Sequence, residues 1–212
     1  MTQLAASTLR DFVSSLSSEA PAPGGGSASA AAGAAGAALL HMVVKLTLGK
    51  EKYKDAWGAL EPHLRQLAES QARLLELVDE DTQAYDGIVA ARKLPKETPE
   101  QKTVRQEAID DATIVATTVP MQSAFYAEKA LAAAAEILEK GNPNAASDAY
   151  VGSLLLATSI EGALANVRIN MPGVRDLELA KGFREDGIDL ERKTKKHMAA
   201  VRDVARAKTV AL

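Results

Sequence analysis

The sequence predicts an all-α protein, an antiparallel helical bundle of long, kinked helices in a single domain spanning residues 1–212. Three observations lead there. Apolar residues make up 47% of the chain, yet aromatics only 4% and alanine is abundant, a composition that favours helices and close helix–helix approach over sheets. Long stretches run uninterrupted between clear cap and turn signals. No segment alternates apolar and polar residues as a half-buried strand would, and there is no internal repeat or low-complexity linker. With 25% charged residues in 212, the chain is expected to be globular with one sizeable core.

In order, residues 7–16 read as a short amphipathic helix, followed by a loop ending in Pro21-Ala22-Pro23-Gly24-Gly25-Gly26. A long helix is expected over 27–48, with a small-residue face around Gly33 and Ala37, broken at Gly49-Lys50. The next runs from about Lys52 to Lys93, kinked or restarted at Pro62. Thr98-Pro99-Glu100-Gln101 has the makings of a capping box with proline at the first helical position. That helix should continue to about Lys140 with a kink near Pro120. Gly141-Asn142-Pro143-Asn144 is a stop-and-turn signal, and a helix follows from about Ala145 to Asn170, ended by Met171-Pro172-Gly173. The tail reads as two helices broken near Asp186-Gly187.

Several function classes are disfavoured. The net charge of −3 gives no basic footprint for nucleic acid. With no cysteine, disulfides, thiolate metal sites and cysteine nucleophiles are excluded. The three histidines, His41, His63 and His197, are scattered without ligand spacing, so no metal is expected. The uncharged stretch 27–40 is too short and too weakly apolar to span a bilayer, so no membrane partner is expected. The N-terminus lacks a basic region followed by an apolar run, and the expected location is cytoplasmic.

Four constellations could carry chemistry. Gly24, Gly25, Gly26 and Ser27 open a helix, where flexible backbone and unpaired amides can meet an anionic ligand, or where Ser27 is simply an N-cap. Asp81 falls in the apolar stripe Leu67, Leu74, Val78, Asp81, Tyr85, Ile88, whereas Asp79, Glu80 and Asp86 fall off it. A carboxyl facing a core is costly unless paired, and desolvation moves it toward the range useful for proton transfer; a structural pairing is the other reading. Lys45 and Lys50, with Tyr53, follow a nearly uncharged helix; Lys45 either neutralises Asp81, binds an anionic tail, or snorkels to solvent. Asn144, Ser147 and Asp148 stand in the first turn of another helix, where capping alone explains them, and Asn166 and Asn170 lie one turn apart at its end. Their amides either read a heterocycle edge or terminate the helix.

Taken in order, these segments resemble the cyclodeaminase/cyclohydrolase family. The matching stretches are Pro21 to Ser27, Leu46-Thr47-Leu48-Gly49-Lys50 with Tyr53, and Asp81-Thr82-Gln83-Ala84-Tyr85. Leu94-Pro95-Lys96 with Thr98, Val119-Pro120, Gly141-Asn142-Pro143-Asn144 with Ser147-Asp148 and Val151-Gly152, and Asn166-Val167 with Asn170 complete the set. The resemblance covers roughly residues 8 to 172. It implies an all-helical homodimer that binds a tetrahydrofolate substrate near the subunit interface, with no cofactor. Asp81 matches the family's proton-transfer acid, and the glycine loop, Lys45 and Lys50 fall where folate binding is expected. Tyr85, Asn144 and Asn170 are further candidates for substrate contact.

Two reactions fit such a site. A cyclohydrolase adds water to the cationic amidinium carbon of 5,10-methenyltetrahydrofolate to give 10-formyltetrahydrofolate. A cyclodeaminase closes the formimino derivative and releases ammonia. Both need one carboxyl that takes and returns a proton, so the motifs do not separate them; Asp81 is the expected shuttle, with Asp148 a possible second carboxylate stabilising the cation. No fused transferase segment accompanies the 212 residues, which favours the cyclohydrolase. The competing expectation is a non-catalytic folate-binding or helical scaffold protein.

Overall fold

The computed structural model describes residues 3–210, which form eight α-helices and four short 3-10 turns. Helix α1 spans Leu9–Leu16, α2 Gly25–Leu48, α3 Lys54–Leu60, α4 His63–Arg92, α5 Pro99–Leu131, α6 Ala134–Lys140, α7 Ala146–Asn170 and α8 Leu177–Ala207. No strand occurs among the described residues.

Helices α2, α4, α5 and α7 close into an up-down-up-down four-helix bundle, each packed on two of the others in a ring. The direction of each pair can be read from facing residues. Ser27 meets Asp81, and Gly33 lies beside Leu74, so α2 and α4 are antiparallel. Arg73 reaches Gln122 and Arg105 reaches the Arg92 carbonyl, which sets α4 against α5. Along α2 and α7, Gly25 faces Asn166, Gly33 faces Ser159, and Gly36 faces Gly152. At that last crossing a Cβ on Gly36 would come within 2.7 Å of the Gly152 carbonyl, and one on Gly152 within 2.9 Å of the Gly36 carbonyl. The two backbones therefore touch, which explains the small-residue face of α2.

Buried apolar residues from α2 to α8 join one continuous cluster with Leu40, Leu67, Leu74, Leu131, Ile137, Leu156 and Ile160 fully enclosed. At the far end of α2, the Asn142 side chain, only 3% exposed, accepts hydrogen bonds from Tyr53 Oη at 2.9 Å and the Asn144 amide at 3.1 Å. Its own amide donates to Thr47 Oγ1 at 2.9 Å. The Gly141-Asn142-Pro143-Asn144 turn is thus a clasp between α6, α7 and the end of α2.

Several boundaries differ from expectation. Pro62 separates α3 from α4, as a restart rather than a kink. The Thr98–Gln101 capping box is formed, but Pro120 lies inside α5 without ending it, and the break comes at Ala132-Ala133, where no residue signals it. The tail is one helix, not two: α8 runs through Asp186-Gly187. A glycine in a helix interior costs about 1 kcal/mol, and the stripe Phe183, Gly187, Leu190, Thr194, Met198, Val201, Ala205 keeps its helical spacing across the site. Gly187 itself sits over Leu164 of α7, so the helix is held by its neighbours. Helix α2 begins two residues early, inside the glycines, and is long and apolar enough to cross a bilayer by length and composition, as is the segment 143–173. Each turns its small residues onto the other at the centre of the bundle.

Candidate active site

Asp81 lies on α4 opposite the start of α2. Gly24 occupies the N-cap position of α2 and has no side chain to cap it, so the first amides of the helix lack partners. The Asp81 carboxylate supplies one from another helix: Oδ2 accepts from the Ser27 amide at 2.8 Å and from the Ser27 hydroxyl at 2.9 Å. Room for this exists because residue 26 is glycine; a Cβ there would fall on the Asp81 carboxyl. Burial pushes the Asp81 carboxyl above the usual carboxylate range, and the Ser27 hydroxyl and then its amide pull it partly back.

The carboxyl opens into a cleft of about 180 Å³ lined by Gly24, Gly25, Gly26, Tyr85, Ile88 and Ala116, with Asn166 and Asn170 on the α7 side. Tyr85 and Ile88 follow Asp81 at helical spacing on the same face of α4. Asn166 Nδ2 donates to the Gly162 carbonyl at 2.9 Å, and Asn170 Nδ2 to the Ala116 carbonyl at 2.8 Å. Each residue thus gives one N–H to backbone and retains its amide oxygen and a second N–H. The Gly25 and Gly26 amides stand at the positive end of the α2 dipole. The wall therefore offers backbone amide donors on one side, side-chain amides on the other and one carboxyl raised by burial between them. Among the described residues, no group of three or more His, Asp or Glu comes together as a metal site.

The structure divides the sequence-selected residues into two groups. Gly24, Gly25, Gly26, Asp81, Tyr85 and Asn170 line the cleft. Ser27 is adjacent but fully buried, its donors spent on Asp81, so it is a partner of the carboxyl rather than a surface for ligand. Lys45, Lys50, Asn144 and Asp148 lie at the opposite end of the α2–α7 pair. Lys45 is roughly 28 Å further along α2 than Gly26, at about 1.5 Å per residue, so it does not neutralise Asp81 within one chain. Asp148, in the first turn of α7, is as remote, and the expectation that it neighbours Asp81 fails because α7 runs antiparallel to α2. Ala116 escaped sequence reasoning. Its signal was Pro120, one turn on, whose missing N–H leaves the Ala116 carbonyl without its helical partner.

The fold is thus an all-helical bundle with a part-buried carboxyl at the mouth of a polar cleft. Residues 8–187 match the family described as Formiminotransferase-cyclodeaminase, and the chain belongs to that family. It is 37% identical to a methenyltetrahydrofolate cyclohydrolase of Methylorubrum extorquens over 82% of this chain and 84% of that protein. It is 34% identical to the formimidoyltransferase-cyclodeaminase of Sus scrofa over 92% of this chain, which spans 36% of that longer protein. The fold is that of the formiminotetrahydrofolate cyclodeaminase of Thermotoga maritima, with a TM-score of 0.84, 23% identity and coverage of 95% and 97% of the two chains.

Proposed function

We propose that the protein is a methenyltetrahydrofolate cyclohydrolase, with Asp81 as its proton shuttle. The observation that carries this is the Asp81 carboxyl itself, raised by burial, held at one oxygen by Ser27 and open to the cleft at the other. Water adds to the cationic amidinium carbon of 5,10-methenyltetrahydrofolate while Asp81 takes one of its protons. The same carboxyl returns that proton to the leaving ring nitrogen as the C–N bond breaks. The second water proton passes to solvent as the formyl carbonyl forms. The amide oxygens of Asn166 and Asn170 accept from the N–H edge of the pterin, and Tyr85 and Ile88 supply apolar contact.

The similarity to the Sus scrofa protein favours a second reading, formiminotetrahydrofolate cyclodeamination, which uses the same shuttle to expel ammonia. Turnover of the two folates separates them. Loss of the methenyl chromophore above the uncatalysed rate, abolished in Asp81→Asn, supports the cyclohydrolase; ammonia release from the formimino substrate alone supports the second reading. Binding without turnover of either would make the chain a folate-binding module.

The remote group enters through a second copy. The outer ridge of α2, Ala28, Ala31, Ala35, Leu39, Met42 and Leu46, carries no charge, and Val151 and Leu154 of α7 continue it. Met42 is 38% and Val151 46% exposed, an apolar strip unlike an ordinary solvated face. A two-fold contact centred near Ala35 would set α2 of one copy across α2 of the other and carry Lys45 and Lys50 toward the partner cleft, where an anionic glutamate tail would meet them. Mixing inactive Asp81→Asn with an inactive Lys45→Ala, Lys50→Ala double variant tests this: recovered activity in the mixture supports a shared site, and none argues for independent ones.

A further inference from the structure

Both donors of Ser27 end on one atom. Its amide and its hydroxyl reach Asp81 Oδ2 at 2.8 and 2.9 Å, and the residue has no exposed surface through which to meet a ligand. Thr82 Oγ1 lies 3.4 Å behind the Ser27 hydroxyl, on the helix that carries Asp81. The other carboxyl oxygen, Oδ1, takes no hydrogen bond among the described residues, yet it is not one of the buried side-chain atoms left without a partner, which are Ser70 Oγ and Ser159 Oγ. It lies against the bare backbone of Gly26 at the edge of the cleft.

We propose that Ser27 is the positioning residue for the acid–base carboxyl, tying both its donors to Oδ2 so that Oδ1 alone exchanges protons with a ligand in the cleft. This rests on the reading of Asp81 as the proton shuttle. Two donors on one oxygen occupy its lone pairs and fix the plane of the carboxyl. The acid therefore presents one oxygen in one direction, as a group that must first take and then return a proton requires.

Ser27 also opposes burial, which dominates the upward displacement of the carboxyl. Among the described residues, no charged side chain other than Asp81 lines the cleft. Tyr85 is the other titratable group lining the cleft, and α2, α5 and α7 present no charged side chain to it. On α4 itself, Asp79 is held by the Leu4 amide and Glu80 by Arg73.

The test compares the full-length chain with Ser27→Ala and Ser27→Thr. Alanine keeps the backbone donor and the helix but removes the hydroxyl; threonine returns it. In Ser27→Ala the Asp81 carboxyl, followed by carbon NMR with labelled aspartate and no ligand present, should titrate at higher pH than in the wild type. The acid limb of kcat/KM for methenyltetrahydrofolate should move up with it, and kcat should fall by roughly tenfold to a hundredfold, the scale of a misaligned reacting group, with KM little changed. Threonine should restore both limbs. An unmoved Asp81 titration in a folded Ser27→Ala overturns the proposal whatever the activity, as does wild-type kcat with a wild-type acid limb. A displaced titration in Ser27→Ala, where the wild type itself turns over neither folate, upholds the Ser27–Asp81 coupling and refutes the reaction instead.

Discussion

The side-chain amide of Asn170 replaces the backbone N–H that Pro120 lacks. Inside α5 the Ala116 carbonyl would ordinarily accept from residue 120, which is proline; Asn170 Nδ2, from the end of α7, donates to it at 2.8 Å. The proline is tolerated because a neighbouring helix satisfies the group it orphans. In return, the amide of Asn170 is held with one face on the backbone and the other at the cleft.

This relationship predicts a compensating pair. Asn170→Leu should destabilise the fold by about 1–3 kcal/mol, the penalty for a buried acceptor left unpaired. Adding Pro120→Ala restores a donor within α5, so the double variant should unfold at a higher temperature than Asn170→Leu alone. Strict additivity of the two thermal shifts would show the residues to be independent.

The two glycines beside the carboxyl should respond differently. A Cβ on Gly25 meets Asn166 Nδ2 at 3.5 Å, an ordinary contact, whereas one on Gly26 strikes Asp81. Gly25→Ala is expected to leave the melting temperature near that of the wild type. Gly26→Ala should cost about 1–3 kcal/mol through overpacking and reduce kcat about a hundredfold by displacing the carboxyl. Thermal denaturation and steady-state kinetics on the two variants decide this.

Asp81 should oppose stability at neutral pH. Its folded-state pKa is raised, so the unfolded chain ionises more readily. The stabilising contribution of the protonated form is complete below the ordinary carboxylate range and lost as pH rises through the folded value. Asp81→Asn, inactive, should therefore melt above the wild type near pH 8, with the gap closing toward about pH 4. A gap that widens on acidification would mean that the carboxyl is stabilised as an anion, contrary to its burial.

The exposed apolar ridge of α2 gives a fourth expectation. Met42→Glu places a charge on a side chain already 38% exposed, so a monomer should tolerate it. In a dimer joined through that ridge, sedimentation should show the variant dissociating while its helix content is unchanged. A monomeric wild type would end the shared-site reading.

Much of the fold could be read in advance because its signals are local. The Thr98–Gln101 box, the Pro62 restart and the Asn142 turn each depend on a few neighbouring residues, and they stand where periodicity and capping place them. Asp81 stood out because it interrupts an apolar stripe, and its partner loop because glycines cluster there. What resisted was three-dimensional. Lys45 and Asp148 looked like companions of Asp81 until the antiparallel run of α2 and α7 put a bundle length between them. The break at Ala132-Ala133 and the continuity of α8 through Gly187 depend on what packs alongside, which local propensity does not encode. Ser27 read as part of an anion-binding helix start or as an ordinary cap, and only the approach of α4 reveals that its hydroxyl is turned to another helix.

The contacts between α2 and α7 run in order from Gly25 opposite Asn166 to Gly36 opposite Gly152, and Thr47 beside Asn142 continues them into the turn before α7. A single residue inserted ahead of the crossing in either helix would rotate everything beyond it by about 100° and advance it by about 1.5 Å, putting the side chain of Ala35 or of Val151 where Gly36 or Gly152 now meets a carbonyl. The pair thus acts as a ruler that neither helix can lengthen alone. A change of length is accommodated only outside these contacts, and the span from the glycine loop to the Asn142 clasp is set by the packing of the two helices.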